Sequence, residues 1–249
     1  RPAFSGSHSG MPVTGSGGAI SVASGQLTLT SGTTAASLTG VARFTDYGPL
    51  VYRARFNVSQ RIANQGLRAG LRESAATPRW FAWFLIDGTT ATTVKCQTAR
   101  NPSGAPSAAE TQETTVTLPN GATTATARDW RVELLTESVR FYVDRVLVAE
   151  HVVTIPHQHD EMTSVLEFVN GTTPASSTTC VADYLTGKNH NKLEIGVMSD
   201  AEQIIAAQPP ALAFPFSQAG VIVINTDLLV IDCAQLRGLS IQCTSMGTT

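Results

Sequence analysis

Hydrophobic and polar residues alternate most regularly between Asp129 and Val153. Apolar residues recur at every second position in two groups, which are Trp130, Val132 and Leu134, then Val139, Phe141 and Val143. A period of two places each group on one face of a strand. Only Asp144 and Arg145 separate the second group from a third apolar run, which is the length of a tight hairpin turn. The segment therefore predicts three adjacent antiparallel strands and an all-β protein.

Short runs of the same kind recur along most of the chain. They are Ile20–Ala23, Gln26–Thr30, Leu38–Phe44, Leu50–Val58, Gly66–Arg72, Trp80–Ile86, Thr92–Ala99, Thr114–Leu118, Thr163–Asn170, Cys180–Thr186 and Leu193–Val197. Turn-forming pairs such as Asp87-Gly88 and Asn120-Gly121 lie between them. Regular spacing with almost no helical periodicity predicts a two-sheet antiparallel jelly-roll sandwich over residues 19–198.

The two ends of the chain follow different patterns. Residues 1–18 are rich in Gly and Ser, and are expected to form a flexible arm that either stays disordered or orders against a neighbouring subunit. Residues 199–210 predict a short helix, capped by Ser199 and Asp200 and ended by Pro209-Pro210. Residues 211–249 predict a small C-terminal β module, which either packs on the sandwich or is the beginning of a truncated unit. A hairpin there would place Cys233 opposite Cys243, although buried thiols are the default expectation for all the cysteines.

Composition limits the classes of partner. Charged residues make up 14% of the chain, and Lys occurs only at 95, 188 and 192. This composition is typical of surfaces that are covered by other subunits, and it would also result from a source organism rich in GC codons. A net charge of −2 gives no indication of a nucleic-acid partner. Because no apolar run approaches twenty residues and no leader pattern is visible, neither membrane insertion nor secretion is expected.

Candidate catalytic and metal-binding residues are sparse. Glu161 and Glu167 fall on one face of a strand but are too far apart for a hydrolytic carboxylate pair, so no catalytic residue is expected. His157 and His159 have the spacing of a metal pair but follow Pro156, which favours a solvated turn. Three acidic residues considered for calcium, namely Asp46, Asp87 and Asp183, are scattered. We therefore expect no metal and no cofactor.

Four segments carry a resemblance to a known fold. They are VYRARFNVSQ (51–60), WFAWFLIDG (80–88), DWRVELLTESVRFYVDRVLVAE (129–150) and CVADYLTGKNHNKLEIG (180–196). Their order resembles a concanavalin A-like, laminin G-type jelly roll, in which the hairpin at 144–145 normally ends in Asp-Gly. Here Arg145 takes the place of the Gly. The final stretch, LLVIDCAQLRGLSIQCTSMGTT, is similar to segments of structural proteins of tailed bacteriophages.

The fold resemblance implies glycan recognition. Aromatic rings and nearby amides are the groups that such a site needs. The candidates are Trp80, Trp83, Tyr184, Asn189, His190 and Asn191. Trp80 and Trp83 are three residues apart, so they are expected on opposite faces of one strand, with one of them in the core.

These observations together favour a non-enzymatic structural protein of a tailed-phage virion. Its expected place is a capsid decoration, head fibre, neck or tail component, made in the host cytoplasm and located in the virion. The expected partners are copies of itself in a trimer, other virion proteins and a cell-surface glycan. The alternatives are a carbohydrate-binding module and, third, a glycoside hydrolase with a dispersed site.

Overall fold

The computed structural model describes residues 13–15 and 17–189, which form two antiparallel sheets packed face to face. The strands are β1 (Val13–Gly15), β2 (Ala19–Ala23), β3 (Gln26–Thr30), β4 (Leu38–Tyr47), β5 (Leu50–Val58), β6 (Gln65–Arg72), β7 (Trp80–Ile86), β8 (Thr93–Arg100), β9 (Thr111–Thr117), β10 (Arg128–Leu134), β11 (Val139–Val143), β12 (Val146–His151), β13 (Glu161–Asn170) and β14 (Thr179–Asn189). Sheet A has the order β1-β4-β13-β6-β7-β8-β9 and sheet B the order β12-β11-β10-β5-β14-β3-β2. The predicted jelly-roll sandwich is confirmed.

The core lies between the sheets and is built by the alternating residues. The largest fully buried side chains include Trp130, Tyr52, Phe56, Phe84 and Phe141. Trp130 stacks on Phe56 with ring centroids 5.0 Å apart and meets Phe84 edge-on at 5.1 Å. Because Phe84 comes from sheet A and Trp130 from sheet B, these aromatic contacts join the two layers.

The predicted meander is present as β10, β11 and β12. Its register pairs Trp130 with Val143 and Val132 with Phe141, which places all four side chains on the core face. The two-residue turn has φ of 50° at Asp144 and 70° at Arg145. Positive φ at both central residues is the type I′ geometry that matches strand twist. Arg145 therefore adopts the left-handed conformation without being a glycine.

Strand β7 is apolar on both faces, and this explains the unbroken run WFAWFLI. Ala82 and Phe84 face sheet B, whereas Phe81 and Trp83 pack with Ala99 on the opposite side of sheet A, here called the open face. The open face is crowded at Gly70 on β6. A Cβ there would lie 2.3 Å from the Ala82 carbonyl oxygen and 2.6 Å from Trp83 Cα, so only glycine fits at this close approach.

Several expectations concern the chain ends. Three residues of the predicted arm form β1, which pairs with β4 through Val13 and Val41. The rest of the arm before β1, the strand predicted at 193–197, the helix at 199–210, the module at 211–249 and the pair Cys233 and Cys243 lie outside the described residues. Cys96 and Cys180 are free thiols in the core. In the part of the chain that the structure describes, no helix is long and apolar enough to cross a membrane.

Candidate functional site

The two tryptophans proposed for glycan contact lie on opposite faces of β7, as the sequence predicts. Trp83 is on the open face but only 3% exposed, because Phe81 stacks on its ring at 3.8 Å and the Arg68 guanidinium lies 4.6 Å from its centroid. Trp80 is half-buried against the main core and donates its indole N–H to the Glu161 carbonyl at 2.9 Å. Neither ring offers a free face of the kind that sugar stacking needs.

The other proposed glycan residues belong to sheet B or lie outside the described part. Tyr184 donates its hydroxyl to Asp129 at 2.8 Å, and the Asn189 amide donates to the Tyr47 carbonyl at 2.9 Å. His190 and Asn191 are outside the described residues. Since Trp80 and Trp83 are in sheet A, the structure does not bring the described candidates together into one site.

Most of the acidic candidates are engaged in ion pairs. Glu167 is buried on the open face, 3.1 Å from Arg72 and 3.6 Å from Arg68, while Glu161 on the same strand is exposed. Asp183, considered for calcium, contacts Arg55 at 3.1 Å, so an arginine already provides positive charge there. Asp160 pairs with Arg100 at 2.7 Å and also accepts the N–H of His157. Among residues 17–189, the structure groups no three metal-ligating side chains.

A chain of polar side chains crosses the open face from β7 to β9. Trp83 Nε1 donates to Gln97 Oε1 at 2.7 Å, and Gln97 Nε2 donates to Glu113 Oε2 at 2.5 Å. Lys95 Nζ lies 3.6 Å from Glu113 Oε1 and 3.0 Å from Asp87 Oδ2. We call these five residues the open-face cluster. The strand register explains it, because Trp83, Gln97 and Glu113 are direct cross-strand partners.

The outer half of the open-face cluster is accessible and carries both signs of charge. The side chains of Asp87, Lys95 and Glu113 are 36%, 32% and 40% exposed. The hydrogen bond to Asp87, together with the charges of both carboxylates, raises the pKa of Lys95 despite partial burial. Because one ammonium contacts both carboxylates, the two contacting oxygens are at most about 7 Å apart, which does not exceed the upper limit of about 9.5 Å between the paired carboxyl groups of glycosidases.

Arg61 holds the segment that presents Asp87. Its guanidinium donates to the carbonyls of Asp87 and Thr93, the latter at 3.1 Å, and so ties together the two ends of the β7–β8 connection. Burial lowers the pKa of Arg61, partly opposed by the charge of Asp87. The Asp87 carboxylate therefore projects from a connection anchored at both ends rather than from a free loop.

The sequence indicated two members separately, Trp83 for glycan contact and Asp87 for calcium, but not the cluster. Asp87, Lys95 and Glu113 come from one connection and two strands, so they are separated along the chain. The one available signal was the pairing of β7, β8 and β9 as successive antiparallel strands, which aligns alternate residues on one face. A search for carboxylates along a single strand cannot detect groups that pairing brings together.

Comparisons with known proteins support the fold and change the functional expectation. No family model matches the sequence, and no curated protein matches it significantly. The β-glucanase of Bacillus licheniformis is similar in structure with a TM-score of 0.56 and 13% identity, over 74% of this chain and 94% of that one. An endo-β-1,3-glucanase from Pyrococcus furiosus gives 0.53 and 13%, over 68% and 76%. The κ-carrageenase from Pseudoalteromonas carrageenovora, solved with a κ-carrageenan oligosaccharide, gives 0.54 and 12%, over 75% and 91%.

The expectation of a non-enzymatic structural role is therefore wrong. The solved structures that this fold resembles are named as polysaccharide-degrading enzymes, which fits the third alternative better than the first expectation. At these identities the likeness establishes the jelly roll, and any activity has to be argued from this chain's own residues. The expected trimer and virion location are not tested by these comparisons and stay predictions.

Proposed function

We propose that the protein recognises a polysaccharide through the open-face cluster of sheet A. The observation that carries the proposal is the hydrogen-bonded row Trp83–Gln97–Glu113 beside Lys95 and Asp87. Its outer members present carboxylate and ammonium groups beside the half-buried Gln97 amide, and these groups can pair with the hydroxyl donors and acceptors of a sugar.

The scaffold suits this role because the polar groups are held in place before a ligand arrives. The buried Trp83 indole orients the Gln97 amide, and that amide in turn orients the Glu113 carboxylate. Arg61 fixes the connection that carries Asp87. Less ordering is then required on binding, which favours affinity for a weakly binding neutral ligand. The jelly-roll likeness to glucanases and a carrageenase supports a glycan as the ligand.

Hydrolysis of the bound glycan is a second candidate, favoured by the spacing of Asp87 and Glu113. Two carboxylates at this separation can act as general acid and as nucleophile or base.

Binding is tested by calorimetry against a β-1,3-glucan, a mixed-linkage β-glucan and κ-carrageenan. Gln97→Ala and Glu113→Gln each remove hydrogen bonds to the ligand and are expected to weaken binding by roughly 2- to 10-fold. Glu150→Gln is the matched control, since Glu150 is an exposed carboxylate of sheet B paired with Arg140. Unchanged affinity in both cluster variants, or an equal loss in the control, would contradict the proposal.

Hydrolysis is tested by reducing-end release from the same polysaccharides. Asp87→Asn and Glu113→Gln are each expected to lower the rate by about 10²-fold or more if the pair is catalytic. Turnover that survives both substitutions would place the chemistry elsewhere. Binding with no turnover in the unmodified protein would leave recognition as the function and remove the second candidate.

A further inference from the structure

The outward-facing side of sheet B contains two arginines in direct register. Arg131 on β10 is the cross-strand partner of Arg53 on β5, and Tyr142 on β11 is the next residue in the row. Side chains paired in this way have Cβ atoms about 4.5–5.5 Å apart, and like charges there destabilise the sheet. The charge of Arg53, added to the larger effect of burial, lowers the pKa of Arg131.

The other arginines of this sheet have carboxylate partners. Arg55 contacts Asp129 at 3.2 Å and Asp183 at 3.1 Å. The remaining two ion pairs are Arg128 with Asp144 at 2.7 Å and Arg140 with Glu150 at 2.8 Å. Each of these three guanidiniums thus has at least one carboxylate partner.

Arg53 and Arg131 are less completely paired. Arg131 contacts the Glu133 carboxylate, but its Nε is buried without a hydrogen-bond partner. Arg53 is exposed, and its guanidinium has no acceptor among residues 17–189. The two guanidiniums therefore have one carboxylate contact between them, that of Arg131 with Glu133, and the charge of Arg53 has no carboxylate partner among the described residues.

We propose that Arg53 and Arg131 together bind an oxyanion, namely a sulfate ester or carboxylate group of an acidic polysaccharide. Each guanidinium presents parallel N–H donors that match the oxygens of such a group, and the strand register places the two residues side by side. The Arg131 guanidinium also lies over the Tyr142 ring at 5.2 Å, which limits its rotation and orients it for the anion. A bound anion would relieve the repulsion between the two arginines.

The site is on the other sheet from the open-face cluster, so it adds a second contact surface for an acidic chain. The binding of an oxyanion by Arg53 and Arg131 does not depend on the proposed function. The choice of a polysaccharide as the molecule that bears the oxyanion does rest on it. Binding of a neutral glucan through sheet A and binding of an anion through sheet B are therefore separate measurements, and either can fail without the other.

The test measures binding of a sulfated galactan, the same galactan after desulfation, and a uronate polymer to the full chain at low salt. Arg53→Gln is expected to weaken binding of the charged polymer by about tenfold or more, because charge-assisted bonds are lost. Arg140→Gln is the matched control on the same face, and is expected to stay within about twofold since Glu150 already neutralises Arg140. Near-UV circular dichroism checks that both variants remain folded.

Each outcome decides the proposal. Preference for the sulfated or for the uronate polymer identifies the bound group, and either preference supports the site when Arg53→Gln abolishes it. Equal losses in Arg53→Gln and Arg140→Gln would mean diffuse charge attraction, and equal binding of the desulfated galactan and of both charged polymers would mean that no anion is recognised; either result overturns the proposal. Free inorganic sulfate should displace the charged polymer more strongly than chloride does at the same ionic strength. Equal displacement by the two ions would also overturn the proposal.

Discussion

Replacing Phe141 by Ala should remove one of the contacts that join the two sheets. Phe141 is 0% exposed, and its ring meets Phe84 edge-on at 5.2 Å and His151 at 5.2 Å. Truncating a buried phenylalanine typically costs about 3–5 kcal/mol, and the lost aromatic contacts place this site in the upper half of that range. Against a total stability of roughly 5–15 kcal/mol, this is a large fraction.

Urea unfolding followed by tryptophan fluorescence measures the cost, since Trp130 lies in the same core. Arg140→Gln is the control on the same strand, because Arg140 points away from the core into an exposed ion pair with Glu150. Its expected cost is within about 0.5 kcal/mol. Similar small costs for both variants would refute the assignment of core and outer faces on β11, and with it the sandwich packing at this edge.

Three further predictions concern backbone strain, close approach and pH. Arg145→Gly should stabilise the protein by up to about 1 kcal/mol in the same unfolding assay, because Arg145 has φ of 70°; a loss of stability would contradict strain at the turn. Gly70→Ala should destabilise by more than about 1 kcal/mol, since the added Cβ meets backbone atoms of β7, and a neutral effect would mean that the strands separate easily. Burial lowers the pKa of His151 in the folded protein. As the pH falls below about 6.5, the unfolded chain therefore binds a proton at His151 before the folded protein does, and the free energy of unfolding should decline until the pH reaches the pKa of His151 in the folded state. His151→Gln should flatten this decline between about pH 7 and pH 5, and an unchanged pH profile would rule out His151 as its source.

The sequence predicted the sandwich because alternation is strong wherever one strand face meets the core. The meander is the clearest case, since all six residues of the two alternating groups fall on the face that the pattern assigns to the interior, namely Trp130, Val132, Leu134, Val139, Phe141 and Val143. Strand β9 was predicted to begin at Thr114 but begins at Thr111. The missed residues include Gln112 and Glu113, which are polar and lie at the edge of sheet A, where alternation carries little information.

The candidate site was harder to predict for a different reason. On β7 both faces are apolar, so the pattern cannot tell which tryptophan faces sheet B. The open-face cluster depends on long-range register, because Gln97 and Glu113 are sixteen residues apart and meet only through the pairing of β8 with β9. Local periodicity predicts strands, but it does not contain the register that places side chains from different strands beside each other.

The doubly apolar strand β7 also has a consequence for the unfolded chain. Its seven residues, Trp80–Ile86, contain no charge, no proline and no glycine, a composition that forms intermolecular cross-β contacts when it is exposed. In the folded protein β6 and β8 occupy both edges of β7, and charged residues, Arg79 and Asp87, stand at its two ends. Protection against aggregation therefore depends on how quickly β6 and β8 pair with this strand during synthesis, and variants that delay their pairing should precipitate even when their native state is stable.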